Sequence, residues 1–499
     1  MSVGYRVSRH SSKYTQNHEK RTIFAKTVNQ DYMIRKLTRL FAAAALLFIG
    51  GKSFAQTEKD TVYVFLENMP DAGIYLPPPP DMTSTTYADD FAQWQWGKTV
   101  RPTQRGQQAN DDSQWGIKGM VRVFSDILGF EISKEKTPAI YKLLYNVLWT
   151  ENLSTHNAKR KYMRTRPFAQ YNEHTWGRFD NERELRFNGS YPSGHTSLGW
   201  STALVLSEMV PELQDTLLRA GYQYGESRVI VGAHYQSDVD AGYLCGTTAV
   251  AVMHASEFFQ KDLEAARKEY CKIKGIKNVR QTEGFADGTK VFDGPVTEDS
   301  HRFYGDVIKY FETQAERETE RGEQARIDAD NSIEALLKNF STPAGRELSS
   351  EATPAIAALL TYTRDNMVKT AAELGSSTFR ERPYVRINPR RNKTLISDDE
   401  DAKKETTSYP STSAELGWGM ALMLVEIMPR ETANDILNRG FEYGRSRIIA
   451  GYNYPSDVQA GRLWASATLA HLHTMPEFQK LLQAAKDELN PPAKGKKKK

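Results

Sequence analysis

Apolar residues return at three- and four-residue steps in "AIYKLLYNVLW" (139–149), "SLGWSTALVLSEMV" (197–210) and "QDTLLRAGYQYGESRVIVG" (214–232), the spacing of a helix face turned to a core. Pro211 closes the middle run, and Pro429 closes a corresponding run later in the chain. Strand-like alternation and paired hairpin turns are scarce, so the pattern predicts an all-α fold.

The pattern also occurs twice. "RGQQANDD" (105–112) returns as "RGEQARID" (321–328), "TPAI" (137–140) as "TPAI" (353–356), and Arg166-Pro167 as Arg382-Pro383, each 216 residues later. "SYPS" returns at an offset of 218, and "YGESRVIVGAHYQSDVDAGYL" (224–244) returns as "YGRSRIIAGYNYPSDVQAGRL" (443–463) at 219. Collinear matches at so long a period predict a tandem duplication of a whole domain rather than a solenoid. The expectation is two helical domains, 56–271 and 301–490, joined by a Gly- and charge-rich linker at 272–300 and forming a pseudo-symmetric pair within one chain. Further association between chains is not legible.

Composition changes this picture at the ends. The 499 residues carry a net charge of +4, with 39% hydrophobic and 26% charged residues, a globular balance. Residues 1–55 hold +8 of that charge, and the tail 491–499 holds five lysines, which leaves the body at −9. A body of that sign argues against nucleic acid as a partner. The stretch "MIRKLTRLFAAAALLFIGGKSFAQ" (33–56) has a basic flank, an apolar run and small residues before Gln56. It reads as a signal peptide over 33–55, and if Met33 rather than Met1 is the start, residues 1–32 are an over-called extension. No other window reaches the roughly 18 uninterrupted apolar residues of a membrane span. A periplasmic or secreted protein without stable membrane insertion is expected. Cys245 and Cys271 are too few to staple the fold and have no metal-ligand spacing around them, and the sequence does not say whether they pair. "YLPPPPDMTS" (75–84) reads as a stiff lead-in, and "SDDEDAKKE" (397–405) as a surface loop.

Three clusters in the first half carry chemistry. "KRKYMRTRPF" (159–168) places Lys159 and Arg166 seven residues apart, on one face if the segment is helical. "GSYPSGHT" (189–196) is a turn running into a helix, where Ser193, Gly194 and outward backbone N–H groups suit an anion with His195 beside it. "SRVIVGAHYQSD" (227–238) carries Arg228, His234 and Asp238, and an i, i+4 helical step would bring Asp238 to His234 Nδ1 and leave Nε2 free to attack. Lys159, Arg166 and Arg228 would neutralise the equatorial oxygens of a transferring phosphoryl group, and His195 would protonate the departing alkoxide.

In this order the motifs resemble the three-part signature of the type 2 phosphatidic acid phosphatase superfamily, whose other members include vanadium haloperoxidases. "GSYPSGHT" resembles the fingerprint of its bacterial class A non-specific acid phosphatases. The resemblance implies an all-helical, secreted, metal-independent enzyme acting on small phosphomonoesters through a phosphohistidine at His234. Asp238 would orient that histidine, His195 would be the general acid, and Lys159, Arg166, Ser193, Gly194 and Arg228 would hold the phosphate. It implies no cofactor, and vanadate as a transition-state-like inhibitor. A vanadium-dependent haloperoxidase and a non-catalytic phosphate-binding protein are the alternatives.

The second half keeps the frame and loses the chemistry. Arg382, Ser411, Arg447 and Asp457 persist, whereas Gly375 stands opposite Lys159, Thr412 opposite Gly194, Ser413 opposite His195 and Asn453 opposite His234. Asparagine is no nucleophile and serine is a poor general acid near neutral pH. This copy is expected to be non-catalytic, with either a residual anion pocket or an internal Arg447–Asp457 ion pair.

Overall fold

The computed structural model describes residues 62–279, 284–387, 394–395 and 405–490, and among these every regular element is a helix. The upstream extension, the signal peptide, nearly all of the 397–405 loop and the Lys-rich tail lie outside the described residues. In the first half α1 spans Thr85–Val100, α2 Pro138–Ser154, α3 His156–Tyr162, α4 Gly194–Met209, α5 Gln214–Val231, α6 Gln236–His254 and α7 Glu257–Lys274. In the second, α8 spans Phe303–Thr313, α9 Pro354–Ser377, α10 Thr412–Ile427, α11 Ala433–Ala450, α12 Pro455–Leu472 and α13 Pro476–Leu489. The all-α expectation holds, and the three apolar runs become α2, α4 and α5.

Every residue of α4 is buried, hydroxyl residues included, so this helix runs through the core rather than over it. Glycines let α4 and α5 cross closely. A Cβ on Gly199 would lie 2.6 Å from Tyr224, and one on Gly221 would lie 2.5 Å from Ala203. The α10–α11 crossing repeats the device, with Gly417 under Tyr443 and Gly440 against Ala421. Helices α5 and α11 both stop at a left-handed glycine, Gly232 (φ 82°) and Gly451 (φ 91°), which aims the following turn back toward the start of α4 or α10.

The halves share one hydrophobic core. Their contacts are reciprocal: Trp200 Nε1 donates to Ser466 Oγ at 3.1 Å, and Trp418 Nε1 donates to Thr247 Oγ1 at 3.0 Å. These donors correspond at the 218 offset and the acceptors at 219. The segment after α7 adds Phe292, whose ring lies 6.4 Å from Trp200 and 5.7 Å from Trp464. Helix α7 runs through the first three residues of the stretch read as linker. Cys245 and Cys271 are free, buried thiols. No described helix is long and apolar enough to cross a membrane.

Two local expectations need correction. Lys159 and Arg166 do not share a helix, because α3 ends at Tyr162 and Met163 adopts φ 42°, turning the chain before Arg166 opens a new turn ahead of Pro167. In the second half α9 continues unbroken past Gly375. His234 also lies outside α6, which begins at Gln236. Asp238 reaches back as the third residue of that helix, accepting from the Tyr235 N–H in a capping box.

Candidate active site

Three chain turns converge on His234. The α5–α6 turn supplies the histidine itself, the turn after α3 supplies Arg166, and the start of α4 supplies Ser193, Gly194 and His195. His234 Nε2 lies 2.7 Å from Arg166 Nη1. A guanidinium can only donate, so Nε2 holds the lone pair and the ring proton sits on Nδ1. Nδ1 faces Asp238 Oδ2 at 3.4 Å and Ser190 Oγ at 3.3 Å. The tautomer expected from the sequence is in place, reached through a capping residue rather than a helical i, i+4 step.

Asp238 is anchored independently of the histidine. Arg164 Nη1 donates to Oδ1 at 2.6 Å, Ser190 Oγ donates to Oδ2 at 2.5 Å, and Arg164 Nη2 also holds Asp90 at 2.7 Å. Burial alone would raise the Asp238 carboxyl, but Arg164, His234 and Ser190 together hold it well below the usual range. Burial pushes the neighbouring Asp90 up to about 6. Arg164, Asp90 and Ser190 were not singled out from the sequence. The repeat signals them, since they return as Arg380, Asp306 and Ser408 at the offsets of the motifs around them.

The cations are buried and incompletely partnered. Arg228, 0% exposed, spends Nη2 on Asp180 at 2.8 Å, while its Nε and Nη1 meet no acceptor. Two unsatisfied donors on a buried guanidinium cost stability unless an anion takes them. Arg166 donates to the backbone oxygens of Leu185, Asn188 and Ala233, and burial followed by repulsion from Arg228 lowers its pKa to about 10. Lys159 Nζ donates to Gly189 O at 2.8 Å, and burial followed by repulsion from Arg166 brings it down to about 7. At the start of α4, Ser193 Oγ takes the Thr196 N–H and hydroxyl at 3.3 and 2.8 Å. A Cβ on Gly194 would find only ordinary contacts with Trp115, Lys159 and Thr155 at 3.6–3.8 Å, so protein packing leaves this space open.

His195 Nε2 faces Ser113 O at 3.1 Å, and the carbonyl requires that nitrogen to carry the proton. Nδ1 is then the atom that exchanges a proton with a ligand. Trp115 and Tyr224 flank the ring at centroid distances of 5.0 and 5.7 Å. Burial and the charge of Arg228 hold His195 well below its ordinary pKa, and burial and Arg166 do the same to His234. A shift in that direction favours the neutral imidazole, which suits a nucleophile. An arriving anion offsets the cations and raises His195 and Lys159. Affinity for sulfate, which does not titrate in this range, should therefore rise as pH falls from 8 to 5, with net proton uptake in calorimetry across buffers. Lys159→Arg, whose charge is fixed, should remove the portion of that uptake near pH 7.

The corresponding place in the second half keeps the anchor, and Arg447 there keeps one buried donor, Nη1, without an acceptor. Asp457 pairs with Arg380 at 2.6 Å and accepts from Ser408 Oγ and the Tyr454 N–H. The expected Arg447–Asp457 pair is thus not formed: Arg380, arriving from the other side, takes the carboxylate. Arg447 instead lies 4.5 Å over the Tyr452 ring, and its Nε reaches Asn453 Oδ1 at 3.4 Å. Tyr452, fully buried, stands where the first half has Ala233. Arg382 bonds Tyr452 O and Thr407 O, Asn453 bonds Ser408 O, and Ser413 accepts from Asn331. A Cβ on Gly375 would press 2.7 Å from the Thr407 side chain, so a lysine opposite Lys159 would require Thr407 to move. Ser411 retains only its role as cap of α10.

Comparison with known proteins points to the same half. The PAP2 superfamily model matches residues 140–262. A non-specific acid phosphatase of Providencia stuartii is 42% identical over 250 residues, spanning 48% of this chain and 100% of its own length. A non-specific acid phosphatase of Salmonella typhimurium is 41% identical over 216 residues, 43% of this chain and 86% of the relative. An acid phosphatase of Zymomonas mobilis is 33% identical over 215 residues, 43% of this chain and 81% of the relative.

Proposed function

Since the chain belongs to the PAP2 superfamily, with the bacterial non-specific acid phosphatases as relatives, we propose that its first half hydrolyses small phosphomonoesters and that its second half does not. The observation that carries this reading is the buried Arg228 guanidinium with two unmet donors, in the same site as the Nε2 lone pair of His234. A phosphoryl group takes up those donors together with Arg166, Lys159 and the first turn of α4. The anion draws Arg166 off Nε2, which frees the lone pair.

His234 Nε2 then attacks phosphorus, the P–N bond forms, and the ester P–O bond breaks. The departing alkoxide takes its proton from His195, whose pKa the bound anion has raised. In the second step His195 takes a proton from water, the hydroxide attacks phosphorus, and the P–N bond breaks to release phosphate. Asp238 keeps the Nδ1 proton in place and stabilises the cationic phosphohistidine. Vanadate, trigonal-bipyramidal when held by a histidine nitrogen, is expected to inhibit.

Hydrolysis of p-nitrophenyl phosphate, assayed beside halide oxidation in vanadate-supplemented protein, tests the reading. Hydrolysis is expected, and halide oxidation alone overturns it. The second half acts as a structural partner. Arg382→Ala/Arg447→Ala should leave the turnover number of correctly folded protein within about twofold of the wild type, since large catalytic effects come from groups touching the transferring phosphoryl. Export to the periplasm or medium fits the N-terminal segment. The reciprocal tryptophan contacts support descent of the two halves from one duplicated domain.

A further inference from the structure

Where the halves meet, two carboxylate–imidazole pairs lie back to back. His254 Nε2 is 2.9 Å from Glu208 Oε1, and His473 Nε2 is 2.9 Å from Glu426 Oε2. The two imidazoles stack with centroids 3.7 Å apart. Glu208 and His254 come from α4 and α6 of the first half, and Glu426 and His473 come from α10 and the end of α12 in the second. Phosphate chemistry uses none of them.

Independent features point to a ligand here. One ligating atom each from Glu208, His254 and His473 lies within 4.8 Å of the other two. Glu208 is 2% exposed, and its second oxygen, Oε2, has no hydrogen-bond partner. A cavity of about 20 Å³ is bounded by these three side chains and Glu426, room for one water or one ion. His473 Nε2 donates to Glu426 Oε2 at 2.9 Å, so a metal ion would displace that proton to take the lone pair, while Nδ1 of the same ring donates to the Leu469 carbonyl at 2.8 Å. Metal-ligating histidines are oriented by such a bond. Glu426 Oε1 is occupied by Lys486 at 2.9 Å, which leaves Glu208 as the freer carboxylate.

We propose that Glu208, His254 and His473, with Glu426 Oε2 in the fourth position, form a binding site for a divalent transition metal, best matched by zinc. Two imidazoles with carboxylates suit zinc, whereas magnesium and calcium take oxygen donors. Ligand atoms around a tetrahedral zinc stand about 3.3 Å apart, so binding draws the cluster inward by roughly 1 Å. Because its ligands come from both halves, the ion clamps them together and takes no part in catalysis.

The test uses the untagged full-length chain, stripped with chelator and titrated with cobalt(II) and then zinc. One cobalt per chain with the intense visible absorption of tetrahedral coordination is expected. Zinc should displace it and raise Tm. Glu208→Gln and His473→Gln should each weaken cobalt binding about 10- to 100-fold. The His195→Ala/His234→Ala variant should bind as the wild type does, which separates this site from the catalytic histidines. Turnover of p-nitrophenyl phosphate should survive metal removal. Circular dichroism checks that each variant is folded, and either of the two single variants suffices alone. Failure of the wild type to bind, undiminished binding in the folded variants, or binding that disappears with His195 and His234 overturns the proposal.

Discussion

Replacing His234 with alanine should lower the turnover of p-nitrophenyl phosphate by about 1,000-fold or more, the scale on which loss of a nucleophile acts. His234 has the only imidazole lone pair in the described site that faces an arginine cluster while its other nitrogen is held by a carboxylate. Removing it leaves the anion-holding groups intact, so sulfate and vanadate should still bind. His195→Ala should behave differently. Its loss removes the proton for the leaving group, so the deficit should shrink for p-nitrophenol, which departs readily as an anion, and widen for a simple alkyl phosphate. That contrast separates nucleophile from acid without reference to overall activity. The equivalent change Asn453→Ala should leave turnover untouched, because the Asn453 side chain bonds Ser408 O and Arg447 and offers no nucleophilic nitrogen.

Arg164→Ala should be the most destabilising single change near the site, at about 3–5 kcal/mol, because it strands two buried carboxylates, Asp90 and Asp238. Arg380→Ala should cost about as much, since it strands Asp306 and Asp457 in the same way. Only the first should lower kcat in the fraction that folds, because Asp238 orients a nucleophile and Asp457 does not. The pH dependence has a definite sign. Burial already raises Asp90 in the first half and Asp457 in the second, and losing the arginine raises them further above the unfolded value, so folding stability falls as pH rises through and beyond the ordinary carboxylate range. Tm of both variants, measured by calorimetry or circular dichroism, should drop further below wild type at pH 8 than at pH 5.

Much of this was legible in the sequence because the chain states it twice. The matches at 216 to 219 residues separate what both copies need from what only one uses. Residues kept in both, such as Asp238 and Asp457, proved to be anchored by an arginine that is also kept. Those that differ, such as His234 and Asn453, mark the chemistry. Arg164 was overlooked beside Arg166 because two arginines in one short motif look alike until their directions are known. Arg166 turns into the pocket and Arg164 turns to the acids behind it. Helical periodicity also misplaced Lys159, since nothing in "KRKYMRTRPF" announces that Met163 adopts a left-handed backbone. The cluster of Glu208, His254 and His473 was beyond any local motif. Its members lie 46 and 219 residues apart and meet only when the halves dock.

One working site per chain, acting through a phosphorylated His234, is the premise of the proposed reaction. Rapid mixing with a radiolabelled phosphomonoester, a denaturing alkaline quench and peptide mapping address it directly. Acid-labile, alkali-stable label is expected only on the peptide bearing His234, and none in the His234→Ala variant. Label on a peptide of the second half, or a His234→Ala variant that still turns over at the wild-type rate, would contradict it.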